Sequence, residues 1–174
     1  AWLPNVAPTS GDNFFGVDRS SDATRLAGIR FDGSAMPIEE ALIAAASRVA
    51  REGGKPTHCF MSYAKFADLQ KALGTQVQRV DVSAKADIMF RGIVVNGPRG
   101  PINVIPDQNC PNDRAFMLQL DMWKLYSLGK APGIMDSDGM RMLRDANADS
   151  LEVRIGWYAQ IGCRKPGANV NIKL

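Results

Sequence analysis

The sequence predicts an α+β fold, and three observations predict it. Apolar residues recur at helical spacing between Ile38 and Val49; short apolar runs between Val77 and Leu128 are punctuated by glycine-proline and polar loops; and apolar residues alternate with other types from Leu151 to Trp157. The first pattern belongs to a helix with one buried stripe, the second to a series of short strands, and the third to a strand with one covered face.

Residues 1–35 hold Pro4, Pro8, Gly11, Gly16, Gly28 and Gly33 among scattered apolar residues such as Phe14, Phe15 and Leu26, and read as irregular, loop-rich chain. The start, Ala1-Trp2-Leu3-Pro4, has neither the basic opening nor the apolar run of a signal peptide, and reads as a processed or truncated product.

A helix is expected from Pro37 to Glu52. Pro37 suits a first turn, where its missing N–H has no partner to lose, and Glu39 and Glu40 complement the positive end of the helix dipole. Ile38, Ala41, Leu42, Ala45 and Val49 form its apolar stripe, Arg48 and Arg51 close the last turn, and Gly53-Gly54 stops it. At 1.5 Å per residue it runs about 24 Å, and Ala44, Ala45 and Ala46 leave room for close packing.

Thr57–Met61 reads as a strand, and Ser62 as the cap of a second helix, Tyr63–Leu73, with Phe66, Leu69 and Leu73 buried. Strands follow at 77–82, 88–95, 102–105, 115–120 and 123–128. The segment Asn96-Gly97-Pro98-Arg99-Gly100-Pro101 is a hairpin loop, and 106–113 a longer polar loop. Further strands are expected at 140–143, 151–161 and 170–174. In the second of these, Leu151, Val153, Ile155 and Trp157 should be buried and the intervening residues wet.

The charge pattern shows no nucleic-acid-binding arm. The 21 basic and 18 acidic residues give a net charge of +3 and form no like-charge block, so only weak contact with DNA is expected. No apolar stretch approaches the roughly 20 residues that cross a bilayer. Cys59, Cys110 and Cys163 are an odd, widely spaced set without a CxxC pair, and read as reduced structural thiols.

His58 and Cys59 are neighbours on a strand, where side chains point to opposite faces, so they make a poor nucleophile-base pair. Asp136-Ser137-Asp138-Gly139 resembles the start of a calcium loop but lacks the closing glutamate. Asp145, Asp149 and Glu152 interleave with Arg141, Arg144 and Arg154 and read as salt-bridged surface. Gly97 and Gly100 fit no phosphate-binding pattern. Trp123, Tyr126, Trp157 and Tyr158 read as core or interface residues before base-stacking ones. Catalytic, cofactor-binding and metal-binding residues are therefore all expected to be absent.

The order of elements resembles that of tailed-bacteriophage major capsid proteins of the Hong Kong ninety-seven type. So do the stretches Thr57-His58-Cys59-Phe60-Met61-Ser62-Tyr63-Ala64-Lys65-Phe66-Ala67-Asp68-Leu69, Arg91-Gly92-Ile93-Val94-Val95-Asn96-Gly97, Asn103-Val104-Ile105-Pro106-Asp107 and Leu120-Asp121-Met122-Trp123-Lys124-Leu125. The resemblance covers nearly all of 37–174; the family's N-terminal arm and most or all of its extended loop have no counterpart here.

The resemblance implies a long spine helix with residues 1–54 in a peripheral lobe, a strand-rich axial lobe at 55–145, and peripheral closing strands at 146–174. It implies a head-shell protein that assembles in the bacterial host cytoplasm into hexamers and pentamers of an icosahedral virion capsid. Cement, scaffold or portal proteins are further implied partners; no residue matches the crosslinking chemistry of some members. Trp2, Arg99 and Arg114 are the expected inter-subunit contacts, because aromatic and arginine side chains are enriched at interfaces. An encapsulin-like compartment shell shares the implied fold. A hydrolase or transferase using Cys110 or Cys59, and a single-strand nucleic-acid binder, are the alternatives from other classes.

Overall fold

A computed structural model describes residues 2–73, 79–81, 91–129, 132–135, 139, 141–144 and 150–174. The expected calcium-loop match at 136–138, the carboxylates Asp145 and Asp149, and much of the strands expected at 77–82 and 88–95 lie outside them. The chain divides into two compact units, one of Ala1–Met122 with Cys163–Leu174 and one of Trp123–Gly162.

The first unit contains, in chain order, β1 (Asn13–Phe14), β2 (Val17–Asp18), β3 (Ile29–Asp32), α1 (Ile38–Arg51), β4 (His58–Met61), α2 (Tyr63–Leu73), β5 (Arg79–Asp81), β6 (Arg91–Gly97), β7 (Gly100–Pro106) and β8 (Arg114–Leu118). The second unit contributes β9 (Trp123–Ser127), β10 (Gly133–Ile134), β11 (Leu143–Arg144), β12 (Leu151–Glu152), β13 (Ile155–Gly156) and β14 (Ala159–Cys163), the last ending on the first residue of the returning segment. That segment closes with β15 (Val170–Lys173).

Seven strands form one mixed sheet in the order β3-β15-β8-β4-β7-β6-β5. β15 runs parallel to β3 and β4 parallel to β7, while β8 is antiparallel to both β15 and β4. Register places Ile29, Val170, Met117, Cys59, Val104 and Ile93 side by side across six strands, and all six are buried. Leu42, Ala45, Ala46 and Val49 of α1 and Leu69 of α2 cover this row. Each large aliphatic side chain so buried stabilises the fold by about 1.5–3 kcal/mol.

Helix α1 is one residue shorter at each end than expected, and Pro37 precedes it as cap residue. Its C-terminus is a Schellman motif. Gly53 takes φ +76°, its N–H donates to Ala50 O (3.1 Å), and Gly54 N–H donates to Val49 O (3.0 Å), which satisfies two carbonyls left over at the helix end. The predicted cap of α2 is present, with Ser62 Oγ accepting from Lys65 N–H at 3.4 Å.

Two expectations need correction. The opening segment is not wholly irregular, because Ile29–Asp32 forms the edge strand β3. The closing strand expected at 170–174 is present as β15, which lies inside the sheet with 169–172 buried from end to end. Residues 151–161 are not one continuous strand with a covered face. They form three short pieces, and Leu151, Val153, Ile155 and Trp157 are all exposed. Alternation chooses which residues share a face, but burial needs a layer packed on that face, and none of the described residues in 123–162 is buried.

Candidate functional site

The three expected contact residues occupy different settings. Arg99 sits with Pro98 at the exposed tip of the hairpin joining β6 and β7, closed by the Gly97–Gly100 pair. The loop comes close to α1 over the small residue Ala46, and a Cβ on Gly97 would lie 3.5 Å from that alanine.

Trp2 is packed within its own chain. Its ring meets Phe14 edge-on at 4.9 Å and stacks on Phe15 at 5.6 Å. Phe15 stands at the turn between β1 and β2 with a φ of +53°, uncommon for a residue with a side chain. Arg19, almost fully buried, lies 4.6 Å over the Phe14 ring and pairs with Asp12 at 2.9 Å.

Arg114 is also engaged internally. Its guanidinium lies 3.5 Å from the Asp113 carboxylate, and Nη1 donates to Asn171 Oδ1 at 3.3 Å. The same asparagine donates through Nδ2 to Leu3 O and Pro4 O, both at 3.4 Å, and to Asn5 Oδ1 at 2.9 Å. Arg114 and the segment that follows Trp2 therefore meet at one buried amide, while Arg99 belongs to a separate region of the same unit.

Asn171 and its neighbour Asn169 were missed from sequence. Asn169 accepts from Gln119 N–H at 2.9 Å and donates to Lys165 O at 3.0 Å, pinning the turn before β15 to the end of β8. The available signal was a polar residue within Val170-Asn171-Ile172, which alternation assigns to the face opposite the apolar core.

The thiols are held in their neutral form. Burial, with a smaller contribution from Cys110, pushes Cys59 up to about 12. Burial, then the Asp107 and Asp113 carboxylates, pushes Cys110 up to about 11, and burial raises Cys163 as well. Cys110 Sγ donates to Arg114 O at 3.4 Å, while His58 Nδ1 lies 2.9 Å from Thr57 Oγ1. A thiol nucleophile needs the opposite shift, toward the thiolate.

The described strands of the second unit form a ribbon of three two-stranded ladders: β9 with β14, and the antiparallel pairs β10 with β13 and β11 with β12. Leu128 N–H bonds Tyr158 O at 2.9 Å and Met135 N–H bonds Arg154 O at 2.8 Å between the ladders. Trp157 Nε1 donates to Ser127 Oγ at 2.7 Å, beside an open cleft of about 510 Å³ lined by Tyr126, Leu128, Trp157 and Tyr158.

In the first unit buried asparagines tie distant segments of the chain together and the cysteine thiols are held neutral, while the ribbon of the second unit exposes apolar side chains. The family model SU10 major capsid protein matches residues 25–140, two thirds of the sequence, and the chain belongs to that family of phage major capsid proteins. Its role is structural, its place is the virion capsid, and it assembles with other copies of itself. No curated protein matches the chain.

Proposed function

We propose that this chain tiles the icosahedral head of a tailed phage through the Hong Kong ninety-seven fold, forming hexamers and pentamers around the DNA genome, and that it carries no catalytic site. The observation that carries the reading is the match of residues 25–140 to a major capsid family. In support, α1 is the longest helix among the described residues and packs on a mixed sheet. Assembly takes place in the host cytoplasm, with scaffold, portal or cement proteins as further partners. Weak, salt-sensitive contact with packaged DNA follows from the modest net charge of +3.

In this reading α1 is the spine helix. Residues 1–54 and 146–174 serve the periphery of the capsomer and 55–145 its axis, a division by place in the shell rather than by separate cores. Arg99, exposed at a hairpin tip, is the direct contact to a neighbour. Trp2 and Arg114 act at one remove, by holding the opening segment on which a neighbour docks.

An encapsulin-like compartment is the second reading, because it shares the shell architecture; the capsid family match favours the phage head. The raised thiols count against a cysteine enzyme. Size-exclusion chromatography followed by negative-stain imaging tests the proposal. Closed particles or capsomer rings are the expected result, and a lone monomer under every assembly condition that turns over a small molecule would overturn it.

A further inference from the structure

Among its described residues, the ribbon 123–162 lacks the covering layer that a stable sheet needs. None of its described residues is buried, and each of its ladders is only two strands wide. A two-stranded ribbon without a layer against it is marginal in water, because its few hydrogen bonds do not offset the entropy of ordering the chain.

Its side chains are nonetheless those of an interior. Leu128 is 84% exposed and Ile155 71%, and Leu125, Ile134, Leu151 and Tyr158 are also mostly in solvent. Ile134 and Ile155 are direct cross-strand partners. With about 100 Å² shown by each of these side chains and their apolar neighbours, the ribbon offers on the order of 1,000 Å² of apolar surface. A stable complex buries about 800 Å² on each partner, so the ribbon holds enough apolar area for one.

The occupant is set by charge as well as by area. Between residues 123 and 162 the five basic residues Lys124, Lys130, Arg141, Arg144 and Arg154 are offset by the five acidic residues Asp136, Asp138, Asp145, Asp149 and Glu152, so the segment has no net positive charge with which to hold DNA phosphates. Membership of a shell family supplies the remaining candidate at high local concentration, another subunit.

We propose that this ribbon is an inter-subunit clasp: its apolar faces, with the Tyr126–Trp157–Tyr158 cleft, are covered by a second copy of the chain in the assembled shell. The assignment rests on the shell reading above and names the surface that carries it. Covering the ribbon also supplies the layer it lacks, so its order and the subunit contact arise together.

The test uses the purified chain with Leu128→Glu or Ile155→Glu, read by sedimentation velocity and negative stain. The dissociated subunit is expected to keep its far-UV spectrum and melting temperature, because both side chains already face water. The assembled fraction is expected to fall at least tenfold. Hydrogen exchange provides a second measurement: ribbon amides exchange fast in dissociated subunits and are protected in particles.

Variants that form particles at the wild-type concentration overturn the clasp and leave the shell reading standing, and so do particles that form normally but lose DNA or a different bound protein. Ribbon amides equally protected in both states overturn it too. A wild-type chain that never assembles overturns both.

Discussion

Asn171 donates its side-chain amide to Asn5 Oδ1 at 2.9 Å across 166 positions of sequence, from inside the sheet to the opening segment. The asparagine is almost fully buried, and its oxygen is taken by Arg114, so one side chain holds two segments. Asn171→Ala leaves those groups without their partner and is expected to cost about 1–3 kcal/mol. Urea unfolding measures the loss. Limited proteolysis should show new cleavage ahead of Asn13 in the same variant; an unchanged midpoint and digestion pattern would mean the opening segment is held by something else.

The two glycines after α1 separate backbone conformation from packing. Gly53 has φ +76° and only the flexible Lys165 ammonium near its missing Cβ, so Gly53→Ala should cost about 1 kcal/mol, the ordinary penalty for the left-handed region. Gly54 has no such φ, yet an added Cβ would stand 2.8 Å from Ala168 Cα and 3.0 Å from Ala168 O. Backbone must move there, and Gly54→Ala should cost about 2 kcal/mol or more. Thermal melts of both variants check the order; equal costs would place the 166–168 turn farther from the helix.

Helix orientation has its own paired test. Leu42 is fully buried and Ile43, one position on, is half exposed. Leu42→Asp places a charge against the sheet and should abolish soluble folded protein, whereas Ile43→Asp should shift stability by less than about 1 kcal/mol. Soluble yield and circular dichroism distinguish them, and a reversed order would turn the helix by a third of a revolution.

Cys59 gives a pH dependence. Its thiol rises from 9.0 in the unfolded chain to about 12 in the fold, because burial disfavours the thiolate. A raised pKa means the neutral form is the one the fold prefers, so this contribution is complete below pH 9 and is lost as pH climbs toward 12. Urea midpoints should fall between pH 9 and 11, and Cys59→Ala should flatten that fall. At pH 8 thiol reagents should label the native protein slowly; rapid labelling of Cys59 would contradict the burial.

How much of this was legible beforehand depends on where the determining partner lies. α1 was readable because its stripe, its leading proline and its glycine stop are all local. β4 and α2 were readable for the same reason. β3 was not, since Ile29–Asp32 is a strand only because Val170–Lys173 runs alongside it. The buried roles of Asn169 and Asn171 depend on segments far away in sequence, and a polar residue in a short apolar run looks the same whether water or a distant carbonyl receives its hydrogen bond. Trp2 and Arg114 stood out by residue type, which flags a side chain rich in contacts without saying whose contacts they are. Leu151–Trp157 misled for the converse reason: the alternation is real, and the covering layer is missing within the described chain.

The placement of β15 has a kinetic consequence. It lies between β3 and β8, and Lys173 reaches Asp32 across 141 positions. Until that late strand inserts, β3 has no neighbour and β8 keeps an open edge, so nucleation must begin among α1, β4, α2 and the β6–β7 hairpin, where contacts are nearer in sequence. Closing so long a loop is the slow event. During that interval unpaired edges sit at high concentration beside identical chains, and the traffic between correct closure and mispairing is governed by how quickly one short segment finds its slot.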